Sequence, residues 1–170
     1  MKTLIIVLFL FFSINSLNAS ENENVLKGVM LERISQFITY ERKDNFVICT
    51  YKDKKINSSF KQLFLHRTYQ NNSIKVQNIS SLNKISSCDI LYVENPSSKL
   101  LDSIVATRGE YTLLASNDVD YLDDGFMLAL YLKKDKIKFA INQQALLDAS
   151  LKVNYRLLRV ASKVVNPVKY

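Results

Sequence analysis

Between Asn45 and Ala115 the chain alternates short runs rich in aromatic and β-branched residues with segments whose apolar residues recur every three or four positions. A pattern of that kind constrains the fold strongly, because strands separated by helices can join one sheet only through crossovers, which makes the sheet parallel and covers it on both faces. Asn45 to Tyr51 reads as the first strand, and Lys52 to Asn57 as a loop leading to a short helix near Phe60, Leu63 and Phe64. Ile74 to Ile79 reads as the second strand and Asp89 to Val93 as the third. The near-continuous apolar character of the third suits a strand buried on both sides. Pro96 closes it, Ser97 can cap a helix whose stripe is Leu100, Leu101, Ile104 and Val105, and Tyr111 to Ala115 follows as another strand.

Elements of other kinds flank this core. Upstream, Leu26, Val29, Met30, Ile34, Phe37 and Ile38 predict an amphipathic helix with Lys27, Glu32, Ser35 and Gln36 on its solvent face, opened by a capping box of Ser20 and Glu23. Downstream, Gly125 to Leu132 and Lys136 to Ile141, joined at Lys134-Asp135, predict an antiparallel hairpin added to the sheet. Asn142 can cap a helix through Leu147, and Tyr155, Leu158, Ala161 and Val165 suggest a final amphipathic helix stopped by Pro167. The expected architecture is therefore α/β: a three-layer αβα sandwich with a mostly parallel sheet and a C-terminal antiparallel hairpin.

The first residues carry a different signal. Lys2 is followed by an unbroken apolar run from Leu4 to Phe12, and Leu17-Asn18-Ala19 ends in the small residue that signal peptidase requires. The run falls short of the about 20 apolar residues that span a bilayer. Residues 1–19 are thus read as a signal peptide cleaved between Ala19 and Ser20, and residues 20–170 as a single exported domain. No cysteine lies near the cleavage point to take a lipid anchor.

Export bears on the two cysteines, Cys49 and Cys88. In an oxidising compartment an even pair invites a disulfide, whereas the alternative is two small hydrophobes buried inside strands. A bridge needs Cα atoms about 4.4–6.8 Å apart, so the two segments must be staggered to bring mid-strand Cys49 beside strand-entry Cys88.

Net charge is +7 over 170 residues, falling to +6 once Lys2 is removed with the signal. The basic residues are diffuse, and the groups at Lys52, Lys54, Lys55 and at Lys133, Lys134, Lys136, Lys138 lack the aromatic interleaving of a nucleic-acid reader. No nucleic-acid partner is expected; anionic headgroups or an acidic protein could meet such a face. Catalytic chemistry finds little support. His66 is the one histidine, and three scattered glycines, Gly28, Gly109 and Gly125, cannot form a phosphate-cradling loop. Asp118, Asp120, Asp123 and Asp124 lack the spacing of a calcium loop and read as solvated. No metal, cofactor or catalytic residue is expected, and the chain reads as a non-enzyme. Ligands of open α/β sheets lie beyond the carboxyl ends of the strands, which would gather Tyr51 to Lys55, Glu94 to Ser97 and Ser116 to Asp120 around one crevice.

A resemblance supplies more. Asp124-Gly125-Phe126-Met127, then Ile137-Lys138-Phe139-Ala140-Ile141-Asn142, Ala145, Leu151 and Leu157-Leu158-Arg159-Val160-Ala161 follow in order. This series resembles the Gly-Met hairpin, Phe-x-Ile-Asn segment and closing Leu-Leu-x-x-Ala helix of the YfiR family of periplasmic repressors, so Asp124, Gly125, Phe139, Ile141, Asn142, Leu157, Leu158 and Ala161 are taken as the family motif. Cys49 and Cys88 stand where that family can carry a cysteine pair. The chain departs from the family pattern at Tyr40-Glu41, where Trp-Pro is usual, and lacks a second cysteine pair near the hairpin.

The resemblance implies a periplasmic regulatory binding protein that inhibits an inner-membrane diguanylate cyclase through the cyclase's periplasmic region, lowering cyclic di-GMP and biofilm formation. It also implies an outer-membrane peptidoglycan-binding protein that sequesters the regulator, with a homodimer left open. The alternative reading is a periplasmic small-molecule binding module serving another sensor or a transporter. A hydrolase built around His66 is the third and weakest.

Overall fold

The computed structural model describes residues 22–40 and 45–168. The signal peptide, its Ala19-Ser20 junction and the Ser20 half of the capping box lie outside the described residues. In chain order the elements are helix α1 (residues 22–35), β1 (Ile38–Thr39), β2 (Phe46–Tyr51), α2 (Lys54–Phe64), β3 (Thr68–Tyr69), β4 (Asn72–Ile79) and a 3-10 helix (Leu82–Ser87). Then follow β5 (Ile90–Val93), α3 (Ser98–Thr107), β6 (Leu113–Ser116), a 3-10 turn (Asp120–Leu122), β7 (Leu128–Lys133) and β8 (Lys136–Asn142). The chain ends through α4 (Gln143–Asp148), β9 (Lys152–Val153), α5 (Tyr155–Val160) and β10 (Lys163–Val165).

Eight strands form one sheet in the order β10-β8-β7-β6-β5-β2-β4-β3, and β1 pairs with β9 in a small antiparallel ribbon. Strands β4, β2, β5, β6 and β7 run parallel. The chain first winds outward from β2 to β4, then returns to place β5 on the other side of β2. This reversal is a topological switch point. Because crossovers are right-handed, opposite winding directions put α2 and α3 on opposite faces, and the sandwich has three layers. Every residue of β5 and β6 is buried, as strands covered on both sides must be. The C-terminal hairpin joins β7 to β8 antiparallel through Lys134-Asp135, both at positive φ as a tight two-residue turn demands.

Local signals set the helix starts. Asp53 accepts from the N–H of Ile56 at 2.9 Å and Ser97 from that of Leu100 at 3.4 Å, so α2 begins at Lys54 and the loop is shorter than expected. Asn142, the polar end of the Phe-x-Ile-Asn segment, does two jobs. Its Oδ1 accepts from the N–H of Ala145 to cap α4, and its Nδ2 donates to the Leu122 carbonyl at 2.7 Å, tying hairpin, helix and 3-10 turn together. Gly125 sits at φ +101 with the Val105 methyls against it, so that position rejects a side chain on both counts.

Three expectations are corrected. The last helix is short: α5 stops at Val160, and Lys163–Val165 pair parallel with β8, because β-branched Val164 and Val165 follow a chain reversal that brings them to an unpaired strand edge. Within α5 it is Leu157 that is buried, whereas Tyr155 is exposed. A small hairpin, β3 to β4, was not foreseen; Gln70 and Asn71 both take positive φ at its turn.

The third correction concerns α1. The expected apolar stripe faces the core only in part: Ile34 and Ile38 are buried, but Leu26 is 52% exposed and Phe37 40%, while Lys27 and Ser35, placed on the solvent face, are 4% and 1% exposed. The inward face is instead Asn24, Lys27, Gly28, Leu31, Ile34 and Ser35. Gly28 allows it. A Cβ there would come within 2.5 Å of Leu63 and 3.2 Å of Phe60, so its absence lets α1 lie close on α2. The far end of α1 is held by Tyr69, whose hydroxyl donates to the carbonyls of Ser35 and Ile38 and whose ring stacks on Phe46.

Asn142→Ala removes a cap and strands a buried carbonyl. It is expected to destabilise the domain by about 2 kcal/mol, read as a lower urea midpoint with unchanged slope.

Candidate functional site at the sheet switch point

The carboxyl ends of β2, β5 and β6 are direct neighbours, so the three loops expected to surround one crevice are brought together. The second and third are fastened by a reciprocal pair: the Asn95 N–H donates to Asn117 Oδ1 at 3.1 Å, and Asn117 Nδ2 donates to Asn95 Oδ1 at 3.0 Å. Ser116 Oγ closes its own turn by donating to the Asp118 carbonyl. Under the first loop, Thr50 Oγ1 lies 3.3 Å from both the Asp53 carbonyl and Asn78 Oδ1.

Into this place comes the first turn of α1. Lys27 Nζ lies 2.7 Å from Glu94 Oε1 and 2.7 Å from Glu23 Oε1, and the hydroxyl of Tyr92 donates to the same Glu94 oxygen at 2.8 Å. Tyr92 lies within the apolar run of β5, one residue before its end, and packs its ring 5.5 Å from that of Phe60. Burial alone would lower the Lys27 ammonium's pKa, but the hydrogen bonds and charges of Glu23 and Glu94 outweigh it and the net movement is upward. Burial pushes the Tyr92 phenol well above its ordinary value, and Glu94 pushes it further. At neutral pH, then, Lys27 is an ammonium and Tyr92 a neutral donor. Neither is a base there. Their geometry locks α1 across the crevice. Nearby on α2, buried Asn57 has an amide nitrogen with no hydrogen-bond partner.

Sequence reasoning placed Glu94 at the crevice but missed Lys27 and Tyr92, because nothing local distinguishes a lysine beside an apolar stripe from a solvated one. A tyrosine inside an otherwise aliphatic strand run followed by a carboxylate was the available signal.

The other singled-out residues lie elsewhere. Cys88 ends the 3-10 helix, its N–H donating to the Ile85 carbonyl, and forms a disulfide with Cys49 in β2, Cα atoms 5.8 Å apart. Both cysteines are essentially without solvent contact. His66 is exposed just past α2, beside Arg67, which pairs with Glu32. Asp118 accepts from the Asp120 N–H, and Asp123 and Asp124 are exposed. Among the described residues no group of three or more His, Cys, Asp or Glu side chains is placed to hold a metal ion. Of the family motif, Phe139, Ile141, Asn142 and Leu157 are buried, Gly125, Leu158 and Ala161 half-buried and Asp124 exposed. They frame the hairpin edge of the sheet and do not line the crevice.

Fold and site together define a doubly wound α/β domain whose switch-point crevice is closed by its own first helix. The chain belongs to the YfiR/HmsC-like family, whose model matches residues 24–162. Among solved structures it is similar to the ABC domain in complex with L-Trp from Streptococcus pneumonia, with a TM-score of 0.56 and 10% identity over 79% of this chain and 59% of that one. A conserved domain protein from Vibrio cholerae O1 biovar eltor is similar to the same degree, with a TM-score of 0.56 and 11% identity over 81% of this chain and 60% of the other. This chain spans about three fifths of the length of each, and the likeness is one of fold. No curated protein matches the sequence.

Two outcomes follow from the geometry. Glu94→Ala leaves a buried ammonium one partner short and is expected to cost about 3 kcal/mol at pH 7. Lys27 has a raised folded pKa, so the contribution is complete below the ordinary lysine value and fades only as pH climbs through the folded one. Urea curves at pH 7 and pH 11 should therefore show the gap between wild type and variant shrink at the higher pH. The disulfide closes a long loop and is expected to contribute about 4 kcal/mol by constraining the unfolded chain. Cys49→Ser should lose that stability against the oxidised protein and little against the reduced one; an equal loss in both would assign the cysteine a packing role instead.

Proposed function

We propose that this chain is a non-enzymatic periplasmic regulator that binds the periplasmic region of an inner-membrane diguanylate cyclase and holds it inactive, lowering cyclic di-GMP and biofilm formation. The observation that carries the reading is membership of the YfiR/HmsC-like family over residues 24–162. Other features agree with it. The leader-like residues 1–19 suit export, a disulfide suits an oxidising compartment, and among the described residues no helix is long and apolar enough to cross a membrane.

Inhibition in this scheme is a population shift. The regulator binds the inactive receptor more tightly than the active one, and moving a receptor from mostly active to mostly inactive takes about 5.5 kcal/mol of differential affinity. An outer-membrane peptidoglycan-binding protein that sequesters the regulator would relieve inhibition by mass action.

A second reading, a small-molecule module serving another sensor or a transporter, draws on the fold likeness to the ABC domain in complex with L-Trp. The closed switch point weighs against it, since a ligand there would have to displace Lys27 from Glu94.

Deleting the gene is expected to raise cellular cyclic di-GMP and surface attachment, and complementation to restore both. Unchanged levels after deletion would remove the regulatory reading; affinity capture from membranes that returned a transporter in place of a cyclase would favour the module.

A further inference from the structure

Helix α1 is turned the wrong way for its composition. Its first turns bury Asn24 and Lys27 and hold Leu26 outward, with Val29 and Met30 half-exposed beside it. Local apolar pattern and tertiary placement disagree here, and such conflicts mark functional surfaces. The outward residues do not stand on a smooth face. Leu26, Val29, Met30 and Arg33 form one wall of a groove of about 260 Å³ whose other wall is the tip of the β7–β8 hairpin, Asp135, Lys136 and Ile137. Leu132, 49% exposed, stands directly opposite Ile137 across the strand pair and extends the apolar surface.

We infer that this groove is a docking site for an amphipathic segment of a protein partner, an apolar anchor flanked by Asp or Glu. The apolar walls supply the burial and the rim supplies the sign: Arg33, Lys136 and the adjoining Lys133 and Lys134 outnumber Asp135. The same charge argues against a second copy of this chain, because a two-fold contact would bring together two rims of the same net sign. A recess between two walls fits an inserted side chain, whereas a lipid surface would be met by apolar groups standing proud of the basic ones. The inference deepens the regulatory reading by giving the partner's contact a place and a chemistry, and rests on it only for which protein that partner is.

Fluorescence anisotropy on the purified protein tests the groove directly. The probe is a labelled helical peptide with Leu at i, i+3, i+4 and i+7 and Glu at the remaining exposed positions, set against the same peptide with Lys for Glu. The Glu peptide is expected to bind at least tenfold more tightly than its Lys counterpart, and to weaken as salt rises. Leu26→Glu and Lys136→Glu, both at exposed positions and checked for an unchanged unfolding midpoint, are each expected to weaken it at least tenfold. Equal affinity for the two peptides, or full binding by both variants, would overturn the proposal. So would Leu26-dependent sedimentation with phosphatidylglycerol vesicles without peptide binding, which would assign the face to lipid, or a dimer dissolved by Leu26→Glu, which would assign it to a second copy. A deletion strain with unaltered cyclic di-GMP would sink the regulatory reading while leaving the peptide result standing, so the two fail separately.

Discussion

The rotation of α1 about its own axis is pinned near its start by one ammonium. A lysine buried between two carboxylates cannot be turned back to solvent without leaving Glu94 and the phenol of Tyr92 to find new partners in a partly dry place. That restraint acts together with the burial of Leu31 and Ile34 and with the Tyr69 hydroxyl bonds at the far end of the helix to hold Gly28 against Phe60 and leave Leu26 outside. A well-packed hydrophobic interface would have been at least as stable. What the ionic contact adds is orientation, since a greasy helix face can slide and rotate by small steps whereas the Lys27–Glu94 pair fixes one point of the helix against the sheet.

The rest of the sheet carries that clamp on a stiff base. Glu94 follows Val93 at the end of a strand buried on both faces, and the same strand is entered through Cys88, which is bonded to β2. The two strands flanking the switch point are thus tied both by ladder hydrogen bonds and by a covalent bridge, and Asp89 adds another link by accepting from the Val47 N–H. Disulfide and ion pair sit at opposite ends of β5, one holding strand to strand and the other holding helix to sheet.

Much of this was legible in the amino-acid order. Strand and helix alternation gives the parallel core, the Ser97 and Asn142 caps fall where their side chains suggest, and the Lys134-Asp135 turn closes the hairpin. These are local effects, each needing only a few neighbouring residues. The failures share a different origin. Periodicity alone cannot say which of two overlapping stripes on α1 is inward, because the answer depends on Glu94, sixty-seven residues away. Val164 and Val165 continue a helical pattern in sequence yet form a strand, because β8 offers an unpaired edge that the local sequence does not reveal. The loops around the crevice were placed correctly from topology, but that their space is filled by the chain's own lysine is a long-range fact.

The margins of the large sheet are short: β3 has two residues and β10 three, and Pro167 follows soon after the latter. Strands so brief cover only Asn72–Ser73 of β4 and Ala140–Asn142 of β8, and along the rest of those edges stand exposed Lys75, Lys136 and Lys138, charges of the kind that discourage a second polypeptide from adding a strand. Recognition by this protein is thereby weighted toward side chains, whose identity can be selective, over the main chain, which would accept any extended sequence.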